Sequence, residues 1–207
     1  MSRGKRLEVV TGLVPAGVVC IDVGADHGHV AQQLGAIATE RRPHRAGRRD
    51  VSWVIADGLR PFREVEFATI CGMGARTIHR ILESGPRPTR GVVVHAQDDP
   101  PLLRSLLASH GWRIDAEALA PEAGRYAEVI RAVPGQEEAG GECLFFGPRL
   151  VESEDPFLEA HLRQVHNYWS SIAQKTEGAA PDVHAAACRR VRYLEDVLVR
   201  RAPARRG

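Results

Sequence analysis

The segment Gly17-Val18-Val19-Cys20-Ile21-Asp22-Val23-Gly24-Ala25-Asp26-His27-Gly28 decides the fold of this chain. Its apolar run ends in an acid and then breaks into a glycine-marked turn, after which apolar residues recur at helix-compatible spacing. This order predicts a buried parallel strand, a tight loop and the start of a helix. Glycine allows the sharp turn because it has no Cβ. Nucleotide-like ligands bind at such loops, at the carboxyl end of an open α/β sheet.

Composition limits the classes of protein that the chain can belong to. Hydrophobic residues make up 43% and charged residues 26% of the 207 residues, which is ordinary for a globular protein. That length suits one α/β domain with an appendage. The net charge is only +2, so overall charge gives no argument for nucleic acid. Apolar segments fall short of the roughly 20 residues of a membrane span, so we expect no membrane partner.

Cysteine placement and the start of the chain predict a cytoplasmic protein. The four cysteines lack C-x-x-C spacing, and Cys20 and Cys71 lie in apolar runs, so we expect reduced thiols rather than disulfides or zinc ligands. Glu8 and Pro15 interrupt the first apolar stretch, which argues against a secretion signal.

Short apolar runs alternate with amphipathic stretches between residues 18 and 133, as a mostly parallel sheet flanked by helices requires. The predicted strands are 18–22, 36–39, 51–56, 67–71 and 92–96, with further candidates at 112–116 and 126–132. Helices are predicted over 75–83 and 100–109, each closed by a glycine. Segment 134–141 is predicted to be an exposed loop.

The pattern changes after Phe146-Gly147-Pro148. Apolar residues recur at spacings of 4, 3, 4 and 3 from Leu158 to Ile172, and at 4, 3 and 4 from Ala187 to Leu198. Such seams indicate two antiparallel helices packed as a hairpin. Asp155-Pro156 predicts a helix cap and a first-turn proline. We therefore predict two domains, a sheet domain over residues 1–148 and a helical hairpin over 149–207.

Several segments, taken in order, resemble the bacterial tRNA (adenine-22-N1)-methyltransferase family, and together they span nearly the whole chain. They are Lys5-Arg6-Leu7 with Leu13-Val14-Pro15, Asp22-Val23-Gly24-Ala25-Asp26-His27, Ala36-Ile37-Ala38-Thr39-Glu40, Ala56-Asp57-Gly58-Leu59, Ile70-Cys71-Gly72-Met73-Gly74, Gly124-Arg125-Tyr126 and Phe146-Gly147-Pro148. The resemblance implies an α/β fold, a Rossmann-like class I methyltransferase sheet with a C-terminal antiparallel helical hairpin. It also implies S-adenosylmethionine as cofactor and methylation of N1 of an adenine in tRNA.

The chain also departs from that family. The region between His27 and Asp57 is shorter, and segment 41–50 has about ten residues where a parallel crossover normally needs a dozen or more. His95-Ala96-Gln97-Asp98 replaces the family's leucine-glutamine-proline-asparagine-like turn, and Ala127 alters a later landmark. Two alternatives therefore stay open: a catalytically impaired cofactor- or RNA-binding relative, and a methyltransferase with another substrate.

Acids at predicted strand ends are the candidates for holding the cofactor. Asp22 can accept from its amino group, with a helix-capping role as the alternative. Glu40, 18 residues later, can accept both ribose hydroxyls. Asp57 suits the adenine amino group, with a plain Asp-Gly turn as the alternative. The resemblance adds these cofactor-binding candidates: Gly24, His27, Gly58, Gly72 and Met73.

Asp26 is the predicted catalytic residue. A carboxylate that accepts a hydrogen bond from the exocyclic amine of adenine raises electron density at N1 and offsets the positive charge that the ring develops. It can also take a proton from that amine afterwards. The alternative is an N-cap on the following helix. His27 and His29 lie two residues apart, but no third ligand follows at a recognised spacing, so we predict no metal.

A basic run lies near the mouth of the predicted cleft. Its arginines are Arg41, Arg42, Arg45, Arg48 and Arg49, and His44 lies among them. Phosphate contacts by such residues give salt-dependent, sequence-independent affinity, so the run is a candidate RNA-binding element and tRNA the candidate partner. A solvated loop in an arginine-rich protein is the alternative.

Overall fold

A computed structural model describes residues 3–42 and 49–201. The strands of this part are β1 (Cys20–Val23), β2 (Ile37–Glu40), β3 (Ser52–Ile55), β4 (Phe67–Met73), β5 (Gly91–Ala96), β6 (Trp112–Glu122) and β7 (Arg125–Pro134). They form one sheet in the order β3-β2-β1-β4-β5-β7-β6. The first five run parallel, and β7 is antiparallel to both of its neighbours. Each predicted strand is confirmed, and β6 is longer than its apolar run because it pairs with β7 along almost its whole length.

Helices of the described residues flank the sheet. They are α1 (Arg3–Gly12), α2 (His29–Leu34), α3 (Ala75–Ser84), α4 (Pro100–Ser109), α5 (Gly141–Phe146), α6 (Leu158–Thr176) and α7 (Pro181–Arg201). The two helices predicted between strands are confirmed as α3 and α4. None of the helices in the described part is long and apolar enough to cross a membrane.

The core lies on both faces of the sheet. Every residue of β5 is buried, as expected for a parallel strand covered on both sides. Ile78 of α3 and Leu103 of α4 are fully buried in the cluster on one face. Val10 of α1 and Ala31 of α2 belong to the cluster on the other face. The chain therefore folds as three layers, helix, sheet and helix.

Helices α6 and α7 form the predicted hairpin. His166 Nε2 lies 3.4 Å from a Glu195 carboxylate oxygen, and His184 Nδ1 lies 2.9 Å from the Ala173 carbonyl oxygen, a pairing that requires antiparallel helices. The apolar seam of the hairpin packs in one cluster with Leu119 of β6. The hairpin thus shares its core with the edge of the sheet, and the domain boundary at residue 148 stays a prediction.

Two local expectations are wrong. Helix α6 begins at Leu158, so Asp155-Pro156 is not its cap and first turn. Instead the Asp155 carboxylate accepts from the Phe157 N–H at 2.8 Å and from the Leu119 N–H at 2.9 Å, which ties the hairpin to β6. In the predicted exposed loop, Glu137 is buried because it accepts from the Ile114 N–H at 2.7 Å. β6 is an edge strand, so this amide otherwise lacks a ladder partner.

The shortened region still makes a parallel crossover. β2 and β3 pair in parallel over four residues, from Ile37 with Ser52 to Glu40 with Ile55. α2 is short, with six residues. Residues 41, 42, 49 and 50 of the connection form a bend and a turn, and its middle lies outside the described residues.

Candidate functional site

A cavity of about 880 Å³ opens at the carboxyl ends of the parallel strands. β1 lies between β2 and β4, so the chain leaves β1 toward one side of the sheet and later continues from β4 toward the other. Such a switch point is where open α/β sheets bind ligands. The predicted residues among those lining the cavity are Asp22, Gly24, Asp26, His27, Glu40, Arg41, Arg42, Asp57, Gly58, Gly72 and Met73.

Asp22 lies at the back of this cavity and is almost fully buried. Its Oδ1 accepts from the Thr69 hydroxyl at 2.8 Å, and its Oδ2 accepts from the Ala31 N–H at 3.2 Å. Burial raises the pKa of Asp22 to about 6, and these two hydrogen bonds offset only part of the rise. Because Ala31 lies in the first turn of α2, Asp22 caps that helix, as its alternative interpretation stated. A direct contact with the cofactor stays a prediction.

Bare backbone forms the centre of the site. Gly24 has φ of 68°, and its N–H donates to the Thr39 carbonyl at 2.8 Å. A Cβ on Gly24 would lie 2.1 Å from the methyl carbon of Met73, so the loop after β1 and the turn after β4 touch here. Gly72, with φ of 79°, lies in a bulge between Cys71 and Met73. Met73 both lines the cavity and packs against the core, so its two interpretations coexist.

Asp26 has a left-handed backbone, with φ of 49°. A non-glycine residue in that region costs about 1 kcal/mol, and such outliers concentrate at functional sites. Its side chain is 46% exposed, and one carboxylate oxygen lies 3.6 Å from His27 Nε2. Gly28 is the N-cap of α2, so the N-cap alternative for Asp26 is wrong. Its catalytic role stays a prediction.

The ends of β2 and β3 bring two more acids together. Glu40 is buried, and its Oε1 accepts from the Arg42 N–H at 3.2 Å. Asp57 is half-exposed, with its carboxylate 3.7 Å from Arg41 Nε and 3.6 Å from Arg60 Nη1. The two acids are neighbours because the Ala56 N–H donates to the Glu40 carbonyl at 3.1 Å. Gly58, just after Asp57, is buried.

The basic run is only partly described. Arg41 and Arg42 are exposed and line the cavity, and Arg49 is exposed. Arg45 and Arg48 lie outside the described residues. Since Arg41 faces Asp57, part of its charge is compensated inside the site. RNA binding by the run stays a prediction.

Three residues that line the cavity were not predicted from the sequence. Arg6 of α1 lines it and donates from Nη1 to both Glu122 carboxylate oxygens at 2.8 and 3.0 Å, which fixes α1 to β6. Gln97 lines it directly after β5, and its place after a parallel strand was the available signal. Thr39 also lines it, and its buried Oγ1 has no hydrogen-bond partner within the described residues. No sequence signal marked Arg6 or Thr39 individually.

These residues fit a nucleoside that carries a positive charge. The volume lies within the roughly 300–1,000 Å³ of small-molecule sites. Carboxylates of Glu40 and Asp57 supply acceptors for hydroxyl and amino groups, and the Thr39 hydroxyl has no hydrogen-bond partner among the described residues. Gly24 and Gly72 leave backbone exposed to a ligand. S-adenosylmethionine, which the sequence resemblance implied, is a nucleoside of this kind.

A second cavity of about 480 Å³ lies between the loop after β5 and the hairpin. Asp98 and Glu128 line one part of it. On the hairpin side, the Arg190 guanidinium carbon lies 3.8 Å from the ring centroid of Phe145 and 4.1 Å from that of Trp169. The sequence had not predicted this cavity, since its walls come from segments far apart along the chain.

Comparison with known proteins supplies the family. The model of the tRNA (adenine(22)-N(1))-methyltransferase family, TrmK, matches residues 45–196. The tRNA (adenine(22)-N(1))-methyltransferase of Bacillus subtilis (strain 168) is 26% identical over 211 residues, covering 90% of this chain and 88% of the relative.

Solved structures agree with this match. A Streptococcus pneumoniae relative has a TM-score of 0.81 at 25% identity, covering 94% of this chain and 98% of its own. A second structure of that relative, in complex with S-adenosyl-L-methionine, has a TM-score of 0.71 at 27% identity with the same coverage. The family match starts after β2 and does not include the loop after β1. The roles given to residues of that loop therefore depend on their geometry in the structure. The chain is a member of the tRNA (adenine(22)-N(1))-methyltransferase family, with its Rossmann-like fold.

Proposed function

We propose that this protein transfers the methyl group of S-adenosylmethionine to N1 of adenine 22 in tRNA, with Asp26 orienting the base. One observation carries the proposal. A single cavity at the switch point gathers the acids Asp22, Glu40 and Asp57, the bare loop at Gly24 and the strained Asp26. A tRNA substrate supports a cytoplasmic location for the protein.

The cofactor's nucleoside end would lie at the ends of β2 and β3. When bound, S-adenosylmethionine supplies an electrophilic methyl group on a sulfonium sulfur. Glu40 would accept the two ribose hydroxyls, and Asp57 would accept from the adenine amino group. The buried Thr39 hydroxyl would form a hydrogen bond with the nucleoside end of the cofactor. This bond would supply a partner to a hydroxyl that has none within the described residues.

The methionine end would lie against Gly24 and Gly72. Both glycines have positive φ, so the backbone turns there without a side chain that would fill the space. Asp22 would act from behind, because its hydrogen bonds to Thr69 and Ala31 hold β1, β4 and α2 together beneath the loop.

Asp26 would act on the target adenine. The N1 lone pair already lies in the plane of the ring, so the site mainly has to align N1 with the methyl group. The half-exposed Asp26 carboxylate would accept from the exocyclic amine and offset the developing positive charge. It would then take a proton from that amine.

The second cavity supports a nucleic-acid substrate. Gln97 lines the first cavity and Asp98, the next residue, lines the second. An RNA strand that places adenine in the first cavity would bring a neighbouring base to the second. There, Trp169 and the 59% exposed Tyr168 offer stacking surfaces. Asp98 is an acceptor for base amino groups rather than a phosphate site.

The test of this function is methyl transfer to two transcripts. Radiolabelled S-adenosylmethionine is supplied with an unmodified tRNA that has adenine at position 22, and with the same tRNA carrying guanine there. We expect label in the adenine transcript alone, with a primer-extension stop at position 22. Cofactor binding with no transfer would indicate the impaired relative. Equal transfer to both transcripts would indicate another target.

Substitution of Asp26 tests the role of that residue. Asp26→Asn keeps the size and tolerates the left-handed backbone but removes the charge, so we expect kcat to fall roughly 100-fold. The dissociation constant for S-adenosylmethionine, measured by calorimetry, should stay close to wild type. Asp182→Asn, an exposed acid that lines neither cavity, serves as the control. Unchanged turnover in Asp26→Asn would contradict the role.

A further inference from the structure

His79, Glu83 and His110 form a side-chain cluster where the end of α4 meets α3. Within the described residues they are the group of three potential metal ligands whose ligand atoms all lie within 4.8 Å of one another. None of the three lines the cofactor cavity or the second cavity. Methyl transfer therefore leaves the cluster unexplained.

The spacing within the cluster fits an ion between the side chains. His79 Nδ1 lies 3.3 Å from one carboxylate oxygen of Glu83, and His110 Nε2 lies 3.3 Å from the other. Metal–ligand bonds of about 2.0–2.1 Å at tetrahedral angles place neighbouring ligand atoms roughly 3.3 Å apart. A direct charge-assisted hydrogen bond is shorter, at about 2.7–2.9 Å. The observed separations, each to a different oxygen of Glu83, are compatible with an ion held between the three side chains.

The ring of His110 is oriented by a hydrogen bond at its Nδ1. Its Nδ1 lies 2.8 Å from the Leu106 carbonyl oxygen, which can only accept, so Nδ1 carries the proton and donates it there. Nε2, the other ring nitrogen, lies 3.3 Å from a carboxylate oxygen of Glu83. Metal-binding histidines are commonly oriented by such a bond to a carbonyl. Arg87 further fixes this segment by donating from Nη1 to the His110 carbonyl at 2.9 Å.

His79 offers the matching nitrogen from α3. It precedes Glu83 by four residues, so the two side chains lie on one face of the helix. Nε2 of His79 is enclosed and has no hydrogen-bond partner within the described residues, which leaves Nδ1 as the nitrogen that faces the carboxylate. The rings of His79 and His110 are in contact, with centroids 4.2 Å apart.

We propose that His79, Glu83 and His110 bind a divalent transition-metal ion such as zinc. Two imidazoles and one carboxylate suit Zn²⁺, Co²⁺, Ni²⁺ or Cu²⁺ rather than Mg²⁺ or Ca²⁺. The side chains of Glu83 and His110 are 52% and 42% exposed, so an ion enters from solvent and water completes the tetrahedron. The ion would join α3 to α4. Since Thr77 and Ile81 of α3 line the cofactor cavity, it would brace one wall of that site.

Zinc titration of the full chain tests the proposal. Protein freed of metal with a chelator is titrated with Zn²⁺ in competition with a chromophoric indicator, and we expect one equivalent bound in the micromolar range. His79→Gln, Glu83→Gln and His110→Gln should each weaken binding at least tenfold. Cobalt gives a second readout, because the visible absorption of four-coordinate Co²⁺ should appear in wild type and be lost in these variants.

The matched control is His166→Gln. It removes another histidine–glutamate pair, His166 with Glu195 at 3.4 Å, which has no third ligand within the described residues. Zinc affinity of this variant should equal that of wild type. Undiminished binding of S-adenosylhomocysteine shows that each variant is folded, since none of these residues lines the cofactor cavity. Three results would overturn the proposal: no zinc binding by wild type, wild-type zinc affinity in the three cluster variants, or the same loss of affinity in His166→Gln.

Discussion

Two acids four residues apart in one loop have opposite environments. Asp22 is buried, and each of its carboxylate oxygens accepts a hydrogen bond from within the fold. Asp26 is half-exposed at the mouth of the cavity, on a strained backbone. The sequence predicted that both face the ligand, because a motif gives the residue types but not which carboxylate the protein itself satisfies. Burial distinguishes the acid whose hydrogen bonds the fold itself supplies from the candidate reactive one, and contact of Asp22 with the cofactor stays a prediction.

The ionisation of Asp22 gives a prediction on stability. Its raised pKa of about 6 means that the folded protein binds more protons than the unfolded chain between about pH 4 and 6. Stability from this group is thus present at low pH and is lost as pH rises through that window, by about 3 kcal/mol. In urea denaturation, the unfolding free energy of wild type minus that of Asp22→Asn should fall by most of this amount from pH 4 to 7. A difference that is constant with pH would contradict it.

At the scale of elements, a buried charge network joins the sheet to the hairpin. Arg104 of α4 is fully buried, and its Nε donates to Glu117 of β6 at 2.7 Å while its Nη2 pairs with Glu128 of β7. His161 of α6 lies 3.4 Å from the other oxygen of Glu128. Burial alone would raise the pKa of Glu128, but Arg104 and His161 hold it at about 2. Four elements are therefore tied through two carboxylates.

Removal of Arg104 tests this network. Arg104→Met keeps an unbranched apolar stem but leaves Glu117 and Glu128 buried without their cation, so we expect a loss of about 3–5 kcal/mol in unfolding free energy. Arg163→Met removes an exposed ion pair with Glu159 and should change stability by less than about 0.5 kcal/mol. Chemical denaturation measures both. Similar small losses in the two variants would show that the buried network contributes little.

Strands and helices were predictable where a local sequence pattern determines them. The long-range polar contacts that join these elements were not predictable. Buried apolar runs gave the strands, and seam spacing gave the hairpin, because burial and periodicity are properties of neighbouring residues. Arg104 appears in the sequence as an ordinary helix arginine, since its partners follow 13 and 24 residues later on other strands. The roles of Asp155 and Glu137 were not predicted for the same reason, since each accepts a hydrogen bond from a backbone N–H of β6 that is distant in sequence.

For the whole molecule, two cavities lie on either side of segment 97–98, and the hairpin forms one wall of the second. The grouping of the cofactor-binding candidates around the first cavity was predictable, because parallel strands end at one edge of a sheet. The second cavity depends on how the hairpin docks, which no local pattern encodes. Under the proposed function, the sheet would hold the cofactor and the hairpin would contact the RNA next to the target base.

RNA affinity tests the part given to the hairpin. Tyr168→Ala removes an exposed ring at the second cavity, and loss of one stacked base costs about 1–3 kcal/mol, so tRNA affinity should fall roughly tenfold. Filter binding at fixed salt measures it. Val183→Ala, an exposed apolar position on the same hairpin that lines neither cavity, should have no effect. Equal tRNA affinities of the two variants would contradict a contact between Tyr168 of the hairpin and the RNA.

Calorimetric titration of S-adenosylhomocysteine into wild type, Glu40→Gln and Glu64→Gln tests most directly whether the switch-point cavity holds the cofactor. Glu64 is exposed and lies outside the cavity, so it is the matched control. We predict one bound equivalent in wild type and in Glu64→Gln, and at least tenfold weaker binding in Glu40→Gln, because its neutral amide replaces a carboxylate that would accept both ribose hydroxyls. No binding by wild type, or equal affinity in all three proteins, would contradict a cofactor site in this cavity.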